Sequence, residues 1–211
     1  MKQRLLALAL LLVALPIVQF TFGCGGKASA PVPTASPTEL HTGSADTSQG
    51  SNIAENQLQK LKKQIAASPN NLALTKDLAD TYQIRATNGD KAGSSAQIKD
   101  VQQAANYYES WLAKQKAQKG ATARQARADV LLSLATAYVT MNNWAKTNNT
   151  YDRLTQLYPN NPDYFLMWGQ AALTASDNSA AILVFDRYLV LVPHGADSAA
   201  IRDWISKNSG K

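Results

Sequence analysis

Residues 151–159 read YDRLTQLYP, and residues 185–193, thirty-four positions further on, read FDRYLVLVP. At that offset Asp152 pairs with Asp186, Arg153 with Arg187, Leu157 with Leu191 and Pro159 with Pro193, while Tyr151 is replaced conservatively by Phe185. The same offset carries Leu134 onto Trp168 and Ala135 onto Gly169. A period of this length corresponds to one helix–turn–helix unit. Such a unit cannot cover its own apolar face, so copies must stack.

The composition agrees. The chain has 211 residues, 45% hydrophobic and 17% charged, which suits one globular domain with tails and is too apolar for a wholly disordered chain. Ala, Leu, Gln and Lys are plentiful and large β-branched residues are scarce, a balance that favours helices.

With these residues placed, the chain resembles a tetratricopeptide repeat array. That family sets a large residue, a large–small pair and an aromatic on a first helix, a small residue and an aromatic on a second, and a closing proline. The central repeat fills the slots with Leu131, Leu134-Ala135, Tyr138, Thr147, Tyr151 and Pro159. The next has Phe165, Trp168-Gly169, Ala172, Ala181, Phe185 and Pro193. An earlier repeat has Leu78-Ala79, Tyr82, Ala104 and Tyr108, with Pro69 closing whatever precedes it. Thr147 and Ala172 depart from the usual Ala and aromatic. The resemblance implies an all-α, right-handed superhelix of about three repeats, near 72–118, 128–161 and 162–195. Residues 53–67 and 198–208 read as polar-faced caps, each with apolar residues at helical spacing (Leu58, Leu61, Ile65; Ile201, Trp204, Ile205). Ala135 and Gly169 are expected beneath aromatic side chains of the facing helix.

The first repeat is stretched. Tyr82 and Ala104 are twenty-two residues apart where Tyr138 and Thr147 are nine apart, so thirteen extra residues are expected between its helices. Asn88-Gly89-Asp90 and Gly93-Ser94-Ser95 supply turn chemistry. A further spacer surrounds Gly120.

Residues 1–23 read as a targeting segment. Lys2 and Arg4 precede an apolar run from Leu5 to Phe22, broken by Pro16, Gln19 and Thr21. Gly23-Cys24 resembles the end of a bacterial lipoprotein signal peptide, where the cysteine receives a lipid and becomes the new N-terminus. Thr21 and Phe22 depart from that pattern. Three outcomes stay open: lipidation at Cys24, an uncleaved membrane anchor over 5–22, and plain secretion. Each puts the folded part outside the cytoplasm, and the anchored outcomes hold it at the cell membrane or, in a two-membrane host, the outer membrane. Residues 24–51 are rich in Gly, Ser, Thr, Ala and Pro, with Val32 and Leu40 the only large aliphatics after the cysteine. This stretch is expected to be a disordered tether about 30 Å from end to end.

The charge is uneven. From Ile53 to Arg127 there are twelve Lys/Arg against six Asp/Glu, and from Ala128 to Lys211 six against seven. No nucleic-acid reading motif accompanies the basic half. His41 and His194 stand apart from any ligating cluster, so no metal or cofactor is expected. Asp77 and Asp80, beside Lys76, read as a solvated helix face. No phosphate loop, nucleophile elbow or kinase-like motif occurs, and the sequence predicts no enzyme.

The resemblance places partner binding on a concave face lined by first helices. The inward residues are then Lys76, Asp80 and Gln83; Asp129, Leu132, Thr136 and Val139; and Asp163, Leu166, Gln170 and Leu173. Only Lys76 matches the Lys and Asn residues with which family members clamp a C-terminal carboxylate, so an extended or helical segment of another protein is the expected partner. Three roles fit: an envelope assembly scaffold, a structural lipoprotein whose basic half meets membrane or wall, and an accessory subunit of an envelope enzyme or transporter.

Overall fold

The computed structural model describes residues 47–89, 91–115 and 118–209, and within them the chain forms eight α-helices and no strand. They are α1 (Thr47–Ala67), α2 (Leu72–Asn88), α3 (Ser95–Gln115), α4 (Ala121–Thr140), α5 (Trp144–Leu157), α6 (Pro162–Thr174), α7 (Asn178–Leu191) and α8 (Ser198–Asn208). Each packs on the next in sequence, giving hairpins α2–α3, α4–α5 and α6–α7 between α1 and α8. This is an all-helical, tetratricopeptide-like solenoid.

Side-chain caps fix the helix starts. Asn71 Oδ1 accepts from the Leu74 amide (3.1 Å), Asn161 Oδ1 from Asp163 (3.0 Å) and Asp177 Oδ1 from Ala180 (3.0 Å), each satisfying an amide that the first turn leaves orphaned. The turns repeat with the sequence period. Asn142 and Ser176, thirty-four residues apart, both take left-handed backbone (φ 52° and 59°). Each stands directly before its helix cap, Asn143 and Asp177. The amides of those caps close onto equivalent carbonyls, Tyr138 and Ala172, both at 2.9 Å.

The core runs along the hairpins in two clusters. Leu58, Leu78, Ala79, Ala104, Tyr108, Leu134 and Leu154 are almost completely buried in one cluster running from α1 to α6, and Phe165, Ala172, Ala181, Val184, Phe185, Tyr188 and Ile201 form a second from α6 to α8. Trp168 packs against both. Where α6 meets α7, Gly169 faces the Phe185 ring, which lets the two backbones approach closely.

Three expectations change. The thirteen extra residues of the first repeat are not mainly a loop. Relative to the central repeat, four lengthen α2 beyond Tyr82, six lengthen α3 ahead of Ala104, and three enlarge the turn. Ala, Thr and Gln on the flanks of the Gly-rich turn carry the helical hydrogen bonds outward. In the second repeat, α4 begins at Ala121, seven residues before the expected 128. The Ala-rich run after Gly120 has high helix propensity, and Gly120 (φ 103°) turns the chain into it. Finally, α1 starts at Thr47, inside the stretch expected to be tether to residue 51. The targeting segment, Cys24, His41 and residues 24–46 lie outside the described residues. No helix among the described residues is long and apolar enough to cross a membrane.

Candidate functional site

Along α2 the face of interest is polar and internally paired. Lys76 Nζ donates to Asp80 Oδ2 at 2.6 Å, and the phenol of Tyr108 on α3 donates to Asp80 Oδ1 at 2.8 Å. Burial, then the Asp80 charge, pushes the Tyr108 phenol well above its ordinary range. Lys76, the row's single cation, is therefore neutralised by its neighbour. Gln83, one turn on, is half-buried, and its buried Oε1 has no hydrogen-bond partner among the described residues.

Beside this face is an ion network. Arg85 on α2 forks onto both oxygens of Asp100 on α3, with Nη2 to Oδ1 at 2.6 Å, and its Nη1 donates to Glu55 on α1. The Asp100 side chain is only 6% exposed, so its charge depends on this fork. The hydrogen bond to Asp100 raises the guanidinium pKa further. The hydrogen bond from Gln59 holds the Glu55 carboxyl below its usual value, with Arg85 adding to it. The network ties α1 to the first hairpin. Its members are fifteen and thirty residues from Arg85, at no repeating interval, which is why sequence periodicity misses them.

On α4 and α6 the predicted residues divide. Leu132 and Val139 are half-buried against the first core cluster, Leu166 and Leu173 against the second. Thr136 is exposed and donates to its own helix at Leu132 O (3.1 Å). Gln170 is half-buried; Asp129 and Asp163 are exposed. Asp129 accepts from Gln125 Nε2 at 2.8 Å, and Asp163 sits in the first turn of α6, where the helix dipole favours a carboxylate. Both acids lie close enough to Tyr164 to raise its phenol, after burial and Tyr158. The row thus mixes half-buried aliphatic side chains with polar ones, exposed at Asp129, Thr136 and Asp163 and half-buried at Gln170.

The early start of α4 adds residues that sequence reasoning passed over. Arg124 lies 5.2 Å over the Tyr158 ring, whose hydroxyl donates to Gln125 Oε1 at 3.0 Å. Arg124, Tyr158 and the turn Pro159–Pro162 line an open depression of about 470 Å³, which none of the eleven predicted groove residues enters. The signal was the aromatic Tyr158 beside the closing proline.

The repeat-signature residues Leu78, Ala79, Tyr82, Ala104, Tyr108, Leu134, Ala135, Tyr138, Tyr151, Gly169, Ala181 and Phe185 are all buried, Trp168 is half-buried, and Pro159 and Pro193 are exposed at the turns. Tyr82 stacks on Tyr107 (6.0 Å) and Tyr151 on Trp168 (6.4 Å), while Phe185 meets Trp204 edge to face (5.8 Å). These aromatics are core and hairpin contacts. No group of three or more His, Cys, Asp or Glu with metal-binding geometry occurs among the described residues.

No family model and no curated protein matches the sequence. Among solved structures, the crystal structure of MamA, a tetratricopeptide-repeat protein, superposes with a TM-score of 0.52 at 13% identity, covering 81% of this chain and 87% of that one. At that identity the likeness is one of fold: the chain has a tetratricopeptide-like helical solenoid.

Proposed function

We propose that the protein is a non-enzymatic scaffold, anchored to a membrane near its N-terminus and holding its solenoid outside the cytoplasm, where the first-helix face binds a segment of another protein. The supporting observation is the row Leu132, Thr136, Val139, Leu166, Gln170 and Leu173, where half-buried aliphatics stand beside the polar side chains of Thr136 and Gln170 on consecutive repeats. An extended or helical segment laid along it would cover the aliphatics and find hydrogen-bond partners. Because Lys76 is already paired with Asp80, a bare carboxylate is a poor ligand. A role in assembling an envelope complex, or in holding an enzyme or transporter there, fits this face equally.

Photocrosslinkers at Thr136 and Gln170, in the full-length protein in its native membrane, test the reading. One discrete protein adduct shared by both positions and absent from Asn149 supports it. Adducts equal at all three positions overturn it. Mass spectrometry of the mature chain tests the anchor: an acylated N-terminal Cys24 supports lipidation, and an intact Met1 with unmodified Cys24 removes it.

A second reading draws on α1, where Lys60, Lys62 and Lys63 are exposed. In it the basic half meets anionic lipid or wall polymer. Salt-sensitive binding of the protein to anionic vesicles, with no protein adduct, would favour this alternative.

A further inference from the structure

The outward faces of the second helices carry the same positions three times. Aligning Tyr108, Tyr151 and Phe185 makes Asn106, Asn149 and Leu183 equivalent, and likewise Ala113, Gln156 and Val190; all six are exposed. In α3 and α5 these positions are polar or small, as water-facing positions should be. In α7 they are large and aliphatic, with Leu183 73% and Val190 69% exposed. α8 closes the end of the array but leaves both uncovered.

Between them stand Asp186 and Arg187. One repeat earlier, Arg153 reaches back along the array to both oxygens of Glu109 on α3, at 3.0 and 3.2 Å. Arg187 is the equivalent of Arg153, and Asp152 of Glu109, yet that bridge is not repeated. Asp152 accepts from Gln156 at 2.8 Å, and the Arg187 guanidinium lies 5.9 Å over the Phe165 ring. Asp186 is the last acid of the series and has no following arginine to accept from. Neither Asp186 nor Arg187 enters an ion pair among the described residues.

We infer that α7 is a self-association face whose occupant is a second copy of this chain, with the two α7 helices antiparallel. Leu183, Asp186, Arg187 and Val190 share one side of the helix, and their spacing is symmetric about the point between Asp186 and Arg187. A two-fold axis through that point sets Leu183 against the second copy's Val190, and Asp186 against its Arg187, each twice. The face is complementary to itself in shape and charge, as an isologous interface requires. A single helix pair covers less than the roughly 1,600 Å² of a standard interface, so association is weak and concentration-dependent. It is independent of what the first-helix face binds.

The test is sedimentation velocity of the full chain in mild detergent, from about 1 to 500 µM. Wild type shifts from monomer to dimer across that range. Asp186→Arg or Arg187→Asp alone places like charges opposite each other twice and weakens association about tenfold or more. An equimolar mixture of the two variants restores it, because each face then meets its opposite, and so does the double variant Asp186→Arg/Arg187→Asp. Thermal melts of the variants close to wild type confirm that folding is intact. A wild-type chain that stays monomeric, a dimer indifferent to these substitutions, or single-variant losses that neither mixture nor double variant repairs each overturns the proposal. So does a monomer whose binding to neutral vesicles is abolished by Leu183→Glu, which would make α7 a lipid-contacting face.

Discussion

Gly169 on α6 lies directly beneath the ring of Phe185 on α7. A Cβ added at Gly169 would sit 2.7 Å from Phe185 Cζ and closer still to Cε1 and Cδ1. The hairpin closes only because one partner has no side chain where the other has a ring.

Substitution there should overpack the pair. Gly169→Leu is expected to destabilise by about 1–3 kcal/mol, and Ala135→Leu, at the equivalent slot of the central hairpin, by a similar amount. Denaturant melts measure both. Combining Gly169→Ala with Phe185→Leu should cost less than the sum of the two single changes, since the smaller side chain at 185 makes room for the added methyl. Full additivity would mean that the contact is not the source of the strain.

The Arg85 network gives an asymmetric expectation. Arg85→Met leaves the Asp100 carboxylate buried without its fork and should cost about 3–5 kcal/mol. The double change Arg85→Met/Asp100→Leu removes both charges and should cost clearly less than the single one. Glu55→Gln, whose side chain is 46% exposed, should cost under about 1 kcal/mol. A double variant as unstable as Arg85→Met would show that packing, not charge, dominates at the site.

Alkaline pH should unfold the solenoid. Burial raises the phenols of Tyr138 and Tyr151 to about 12 from the ordinary 10, and Tyr107, Tyr108 and Tyr164 are shifted the same way. Between those values the unfolded chain has lost protons that the folded chain keeps. Stability therefore falls as pH rises from 10 towards 12. Absorbance of tyrosinate and circular dichroism, titrated together, should change in one transition. Tyrosinate forming near pH 10 with helicity unchanged would contradict this.

Trp168 joins the two core clusters. Its ring stacks on Tyr151, and its Nε1 donates to Asn148 Oδ1 at 3.0 Å. Trp168→Phe keeps the stacking and loses the hydrogen bond, an effect of about 1 kcal/mol. Trp168→Ala should cost about 3–5 kcal/mol and release amide exchange in α6–α8 ahead of α2–α5. Uniform acceleration along all helices would argue against such a junction.

Much of the hairpin array could be read from the chain because periodicity is a local property. Leu134-Ala135 and Trp168-Gly169 recur with their aromatics because every hairpin solves the same packing problem. The groove row was legible only as a set of positions. That Asp80 also accepts from Tyr108 on α3 and that Leu132 lies half-covered depends on neighbours in other helices. Gln125 and Arg124 were passed over because helix propensity cannot place a start to within a turn, and α4 begins seven residues early.

By itself, the sequence determined the helix-hairpin repeat, its period, and the repeat-signature residues that form the core of each hairpin. A 34-residue unit with one apolar stripe has no stable alternative to stacking. Only the tertiary structure decided that Arg85 ties α1 and α3 together, that the first repeat's insert is helix, and that α7 faces outward with Leu183 and Val190 uncovered. These depend on long-range distances and on exposure, and neither is encoded in spacing along the chain.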